Sequence, residues 1–576
     1  MNRYAVFHRP ESCFAYPVAD DRLRVVLRVS ARDELDNVEL LYNNKYDFTK
    51  KRYACRMDRC ITDGVFAYYV AEITLPDARF AYIFRITEKE KVFYYSEEGL
   101  SEEYLFQLAY YTFFQFPFIN GADVMRVVDW TRSAVFYQIF VDRFFRGDHE
   151  KDDRYINAAW NGKIDRYSFA GGDLDGIANK LPYLCDLGVT ALYLTPIFYS
   201  GSNHKYNVTD YTLVDPQFGT NEKLKRLLDS AHEKHLKIII DTVFNHCDIS
   251  HGIFKDVLEK GRDSEYYDWF LIDGDFPDTE KGNYAHFADC KYMPKWNTNN
   301  SEVRRYLIDI ALEYLRMGFD GLRLDVADEI SHEMWRQLRS EVKRQFPEAL
   351  ILGEIWHLNE PWLRGDQLDG VMNYKFQKIL VDFFGAVPIK AEDAANRMNG
   401  LLLANTQQAN AMALNFLDDH DTPRFLRSTE GNTDKLLCAL CAMVMFPGMP
   451  CVFYGTELPL DGTGDPDCRK TFDWTFRGQR EEYRDNFKNI LALKKQTALS
   501  GAEAEIAAQD GILRISREAE GERVTAYFNT CGKAKALNAE GGGTLFALNY
   551  DGKKIYNNGA VVVKNKTVKN CGGKIS

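Results

Sequence analysis

Over the first 120 or so residues, apolar and polar positions alternate in short runs, as in Leu23-Arg24-Val25-Val26-Leu27-Arg28-Val29 and Ala81-Tyr82-Ile83-Phe84-Arg85-Ile86, parted by Asp, Asn and Gly turns. A period near two with frequent turn residues predicts half-buried strands, and so a β-sandwich over 1–120. The same texture returns late in the chain, in Val524-Thr525-Ala526-Tyr527-Phe528 and Ala560-Val561-Val562-Val563 with a turn at Asp551-Gly552. It predicts a second, smaller β-sandwich over 496–576.

The middle, 121–495, has a different pattern. Continuous apolar runs recur at Ala134–Phe140, Ala191–Leu194, Ile238–Ile240, Gly321–Val326, Leu350–Ile355, Val371–Tyr374, Ala413–Leu417 and Cys451–Tyr454. Amphipathic stretches lie between them. From Ser301 to Met317, Val303, Tyr306, Leu307, Ile310, Ala311 and Tyr314 fall at helical spacing behind an N-cap at Asn300. Strands buried on both faces are continuously apolar, so eight of them alternating with helices predict a central (β/α)8 barrel. The interval from Ile240 to Gly321 exceeds one helix and two loops; its excess, about 247–300, predicts a small inserted domain. No GxGxxG follows a strand, so nothing supports a doubly wound sheet instead.

A length of 576 residues suits such a multidomain chain. With 72 Lys+Arg against 84 Asp+Glu the net charge is −12, which argues against nucleic acid or an anionic membrane as partner. The N-terminus runs straight into charged sequence without a signal-peptide core, and the longest apolar run, Leu436–Phe446, is too short to span a bilayer. The 12 cysteines show no regular framework, and Cys438-x-x-Cys441 lies inside that apolar run as buried small hydrophobes. Reduced thiols in a cytoplasm are expected. The aromatic load of 33 Tyr, 38 Phe and 8 Trp fits large β-domain cores or a flat-faced ligand such as a sugar.

Barrel chemistry is placed at the C-terminal ends of the strands. Here those ends carry His204-Lys205-Tyr206, Asp241–His246, Arg323-Leu324-Asp325, Glu354-Ile355-Trp356 and Asp418-Asp419-His420-Asp421. Carboxylates, histidines and an arginine on one rim suit glycoside hydrolysis, in which one carboxyl is acid/base and another nucleophile or base. In Arg323-x-Asp325 strand alternation puts both side chains on one face, and the guanidinium should hold Asp325 ionised. Glu354, with no cationic neighbour in sequence, is the better general acid. Asp421 is a third carboxylate for sugar hydroxyls, His246 and His420 are neutral or cationic donors, and Tyr206 and Trp356 are stacking faces.

These residues resemble the α-amylase family of glycoside hydrolases, and within it the neopullulanase, cyclomaltodextrinase and maltogenic amylase group. The resemblance runs from His8-Arg9-Pro10-Glu11-Ser12 through Val135–Phe140, Gly171-Gly172-Asp173-Leu174, Leu194–Phe198, Ser202–Tyr206 and Met293-Pro294-Lys295-Trp296-Asn297. The four core regions are Asp241–His246, Gly321–Glu329, Gly353–His357 and Phe416–Asp421. It implies Asp325 as nucleophile, Glu354 as acid/base and Asp421 as transition-state stabiliser. It further implies His204, Tyr206, His246, Arg323 and His420 around the reacting glucose, Asp465 and Arg469 on the next sugar to the non-reducing side, and Trp356 on the leaving-group side. Retention of configuration, no required cofactor, and a homodimer formed through the N-terminal domain are also implied. The chain departs from the family at Asn207, Thr242, Trp296 and Asp328, none of which removes a catalytic group. A calcium pocket of some members would fall in the loop Phe145-Arg146-Gly147-Asp148, where Arg146 brings a cation instead, leaving Asp148 and Asp173 as residual metal candidates.

The expectation is therefore a cytoplasmic α-glucan hydrolase acting on cyclodextrins, pullulan and maltooligosaccharides through a covalent glycosyl–Asp325 intermediate. A transglycosylase on the same scaffold shares the first chemical step and stays open. A catalytically dead carbohydrate-binding protein is the rival from another class, and retention of all three carboxylates argues against it.

Overall fold

The computed structural model describes residues 1–475, 481–537 and 543–566. The N-terminal region forms two antiparallel sheets. One runs in the order Ala15–Ala19, Arg22–Ser30, Phe66–Thr74, Asp58–Thr62; the other is built around Phe80–Glu88, flanked by Asn37–Asn44 and Lys91–Ser96. In Arg22–Ser30 the predicted alternation is visible, with Leu23, Val25, Leu27 and Val29 in the core and Arg22, Arg24 and Arg28 on the opposite face of the strand. His8 is sealed into the same core, its Nδ1 2.8 Å from the Val26 carbonyl and its Nε2 2.9 Å from the Tyr82 hydroxyl. Burial pushes its pKa down to about 3, so the ring is a neutral structural pin.

The centre is a parallel barrel of eight strands: β1 (Phe136–Ile139), β2 (Ala191–Leu194), β3 (Lys237–Thr242), β4 (Gly321–Leu324), β5 (Leu350–Gly353), β6 (Gly370–Val371), β7 (Leu414–Phe416) and β8 (Met449–Phe453). They pair in the order β6-β5-β4-β3-β2-β1-β8-β7, and a parallel bridge from Met372 to Leu414 closes the ring. Every residue of β1, β2, β4 and β5 is buried, which is why these runs carry no polar alternation. β4 and β5 stop two residues earlier than the apolar runs predicted, so Asp325 and Glu354 lie just beyond the strand ends. β4 ends because Val326 takes a left-handed backbone, φ 47°, that a β-branched residue avoids unless its surroundings impose it.

The helix predicted behind Asn300 spans Ser301–Met317, and the Asn300 side chain accepts the Glu302 amide at 2.8 Å. Val303, Leu307, Ile310, Ala311 and Tyr314 are buried against the barrel; each large apolar side chain there contributes roughly 1.5–3 kcal/mol. Gly318, at φ 127°, ends the helix and returns its amide to the Tyr314 and Leu315 carbonyls.

The insertion after β3 holds one helix, Gly252–Lys260, and otherwise short turns and isolated bridges. Buried Trp296, stacked on Phe270 with ring centres 4.8 Å apart, fastens its return leg to the barrel. The C-terminal region is an antiparallel sheet of six strands among the described residues, one face packed on helix Thr433–Met445 and the rest of the barrel core, the other on a small core around Ile555, Val561 and Val563. Cys438 and Cys441 are buried on that helix, and the ten cysteines whose side chains are described are free thiols. Among the described residues no helix is long and apolar enough to cross a membrane.

Candidate active site

Arg323, on the inward face of β4, organises the floor of the site. Cross-strand register sets it opposite Asp241 of β3, whose carboxylate it contacts at 2.9 and 3.0 Å. Its Nη1 also donates to Asp325 Oδ1 at 2.8 Å, and its Nη2 lies 2.9 Å from Glu354 Oε2. One fully buried guanidinium therefore faces three carboxyls. Glu354 has no cationic neighbour in sequence but has one in space: sequence proximity shows only Arg323 beside Asp325, whereas β4–β5 pairing brings the next carboxyl to the same cation.

Glu354 also receives the Val326 amide at 3.0 Å and the Trp356 indole N–H at 2.8 Å. Burial alone would raise its pKa; Arg323 and these two donors outweigh it and hold the carboxyl below its ordinary value. Asp325 moves the other way, well above the ordinary aspartate value, because burial and the charge on Glu354 exceed the pull of Arg323. Two carboxyls beside one guanidinium are thus shifted in opposite directions, Glu354 down and Asp325 up, and titrate as a pair.

The opposite wall is Asp421, reached by His420 Nε2 at 3.1 Å and Arg469 Nη2 at 3.2 Å. Burial and the charge on Glu354 push its carboxyl up to about 7 against the pull of Arg469 and Arg323. His420 is buried and its pKa falls to about 3, so of the two charge states considered from sequence the neutral one applies. Gln138 Nε2 stands 2.8 Å from His420 Nδ1, which leaves the ring proton on Nε2, where the Tyr206 hydroxyl accepts it beside Asp421. Asp419 accepts the Asp421 and Thr422 amides and the Tyr374 hydroxyl, holding the turn in shape. Arg469 braces the same wall through the His420 carbonyl at 2.7 Å and Asp465 at 2.9 Å.

All the residues expected at the site line one cleft of about 500 Å3 except Arg323, which lies beneath it. The Tyr206 hydroxyl donates to Asp241 at 2.8 Å and its ring is parallel to that of His420, 5.4 Å away; the His204 ring lies 5.8 Å away at 28°. His246, buried and neutral with a pKa near 3, stacks on Phe287 and leaves Nε2 without a protein partner. Trp356 has one face against Tyr374 at 3.8 Å and remains 42% exposed. Asp328 also lines the cleft.

Several groups receive no role from sequence. Asp241 and Gln138 are quoted there only within longer segments, and a polar side chain on the inward face of an apolar strand is the signal available for both. Phe287, Cys290, Tyr292 and Met293 come from the insertion and complete the cleft wall. Met293 opens a motif quoted from sequence; nothing in the spacing of the other three distinguishes them from the insertion's other residues.

Asp148 and Asp173 lie elsewhere and do not fit a calcium ion. Asp148 pairs with Lys223, and Asp173 caps helix Leu174–Leu187 while accepting the Gly147 and Asp148 amides. Lys151 brings its ammonium 2.9 Å from Asp173 and 2.8 Å from the Gly171 and Gln217 carbonyls, so a protein cation already takes the oxygens a metal would need.

Comparison with known proteins agrees with this geometry. Residues 138–523 match the family described as "Alpha amylase, catalytic domain", and residues 1–120 match "Alpha amylase, N-terminal ig-like domain". The chain is 40% identical over 503 residues to a cyclomaltodextrinase of Geobacillus thermopakistaniensis (strain MAS1), covering 86% of this chain and 85% of that one. It is 39% identical over 500 residues to neopullulanase 2 of Thermoactinomyces vulgaris, covering 86% and 84%. A solved cyclomaltodextrinase superposes with a TM-score of 0.89 at 32% identity, covering 98% of each chain. By its matched domains, its barrel and these relatives, the chain belongs to the alpha-amylase family of glycoside hydrolases, in the group of cyclomaltodextrinases, neopullulanases and maltogenic amylases.

Proposed function

We propose that the protein is a retaining α-glucan hydrolase, cleaving α-1,4-glucosidic bonds in cyclodextrins, pullulan and maltooligosaccharides, with Asp325 as nucleophile, Glu354 as acid/base and Asp421 as transition-state stabiliser. The observation that carries it is the pair Asp325 and Glu354, coming from adjacent strands and sharing one guanidinium at the floor of a cleft. Substrate sets the charge states that the reaction needs. A glycosidic oxygen beside Glu354 favours the protonated acid, and positive charge growing at C1 favours ionised Asp325. Glu354 then protonates the leaving oxygen as Asp325 bonds to C1. In the second half Glu354 takes a proton from water, the water oxygen attacks C1, and the Asp325 ester bond breaks. The unpartnered His246 Nε2, with His204, His420, Asp465 and Arg469, supplies polar groups for sugar hydroxyls, and Trp356 an open face for the leaving side.

Side-by-side rates on cyclodextrin, pullulan and soluble starch test the substrate class; a strong preference for starch contradicts it. At high maltotriose, products longer than the substrate dominating from the outset would replace hydrolysis with transglycosylation.

Asp421 gives a pH signature. It must be ionised to stabilise an oxocarbenium ion, so kcat/KM should fall as pH drops through about 7. Arg469 holds that value down, so Arg469→Met should move the acidic limb to higher pH. A limb that stays in place rules Asp421 out as its source.

No metal is needed in this proposal, because Lys151 stands where a cation would. A chelator should leave activity and melting temperature unchanged. Lys151→Met should cost about 3 kcal/mol of stability by stripping buried Asp173 of its partner, read by urea unfolding. A cytoplasmic homodimer is also proposed: the free thiols suit the compartment, and exposed Leu105, Leu108, Tyr110 and Tyr111 give the N-terminal domain an apolar face. Sedimentation at twice the 66.4 kDa chain mass would support the dimer.

A further inference from the structure

The segment His8–Ser12, singled out in the N-terminal domain, has a contact far from its own sandwich. Its first residue is fixed in the domain core through the Val26 carbonyl and the Tyr82 hydroxyl. Its last, Ser12, has a left-handed backbone at φ 61°, uncommon for a residue other than glycine and retained where neighbours impose it. In that conformation the Ser12 hydroxyl donates to the Glu360 carboxylate of the barrel.

Glu360 belongs to the loop that leaves β5. That loop starts at Glu354, carries Trp356, exposes His357 and Leu358, and returns through Asn359 and Glu360. The outgoing leg is held by the Trp356–Glu354 hydrogen bond and the stack on Tyr374. The returning leg is held by Asn405 on Asn359 at 3.2 Å, by Arg364 on both oxygens of Glu360 at 2.9 and 3.0 Å, and by Ser12. Arg364 lies four residues along the same stretch of chain and moves with it. Ser12 instead ties the loop to a separate domain whose core fixes the other end of the segment.

We propose that Ser12 is a positioning residue for the leaving-group side of the cleft: through Glu360 the chain's own N-terminal domain sets the loop that presents Trp356, and so the affinity for sugar beyond the scissile bond. This rests on the hydrolase reading above. The nucleophile and the polar groups around the reacting glucose come from other strands and do not depend on the tie.

Two substrates separate the effects. α-Maltosyl fluoride and maltotriose both supply glucose units to the reacting side, but fluoride leaves without a sugar for Trp356 to meet. Ser12→Ala should raise KM for maltotriose about three- to tenfold, the scale of one ordinary hydrogen bond lost, while kcat and KM for the fluoride stay at wild-type values. Ser12→Asn, which tolerates a left-handed backbone and keeps a side-chain donor, should restore maltotriose KM. Glu360→Ala should raise it alone, and the double variant should add little further. Equal losses on both substrates, with a lowered melting temperature, would make the contact merely structural and overturn the inference; so would no change on either. Wild-type protein that releases no fluoride would sink the hydrolase reading, and this inference with it.

Discussion

Asp325→Asn should reduce turnover of every α-glucan by about 10^4- to 10^6-fold, the loss seen when a nucleophile is removed from a catalytic unit. Oligosaccharide binding should survive, because the cleft walls and their hydroxyl partners come from other segments. Glu354→Gln should look the same on maltooligosaccharides but differ on α-maltosyl fluoride. Fluoride leaves without a proton, so Asp325 can still bond to C1; the variant then lacks the base that activates water. A maltosyl group should accumulate on the peptide bearing Asp325, visible by mass spectrometry of the digested protein. No adduct there, with fluoride still released, would remove Asp325 as nucleophile. Equally absent turnover in wild type and both variants would favour a binding protein.

The different fates of these two variants bear on how much of the site was legible in the chain. Strand positions were legible because burial on both faces imposes unbroken apolar runs, and Asn300 because a helix start needs a side-chain acceptor. The pairing of Arg323 with Asp325 was legible because two residues apart on a strand means one face. What remained hidden depends on register between strands. Asp241 meets Arg323 only through β3–β4 pairing, and Glu354 meets it only through β4–β5 pairing. The hidden neighbour matters chemically, since Arg323 helps hold the Glu354 carboxyl below its ordinary value despite burial. Val326 was hidden for another reason. Nothing local favours a left-handed valine; it is imposed where consecutive amides, Val326 and Ala327, both turn to Glu354, one to its side chain and one to its carbonyl.

Arg323→Met tests the charge balance on which the site stands. Asp241 is completely buried and would keep only the Tyr193 and Tyr206 hydroxyls, at 2.7 and 2.8 Å. Removing one partner from a buried ion pair costs about 3–5 kcal/mol, more than the methionine's packing can return. The sign of the pH dependence identifies the cause. Burial already raises the folded-state pKa of Asp241, with Arg323 opposing it, so the variant's value must rise further. Between the unfolded and folded values the native state binds more protons than the unfolded chain, and stability falls as pH rises. The variant should therefore be weakest relative to wild type at pH 8 and recover part of the deficit toward pH 5, as Asp241 takes up a proton. Urea unfolding at both values decides it. A deficit of equal size at pH 8 and pH 5 would mean that Arg323 matters for shape, and that the three carboxyls around it do not depend on its charge.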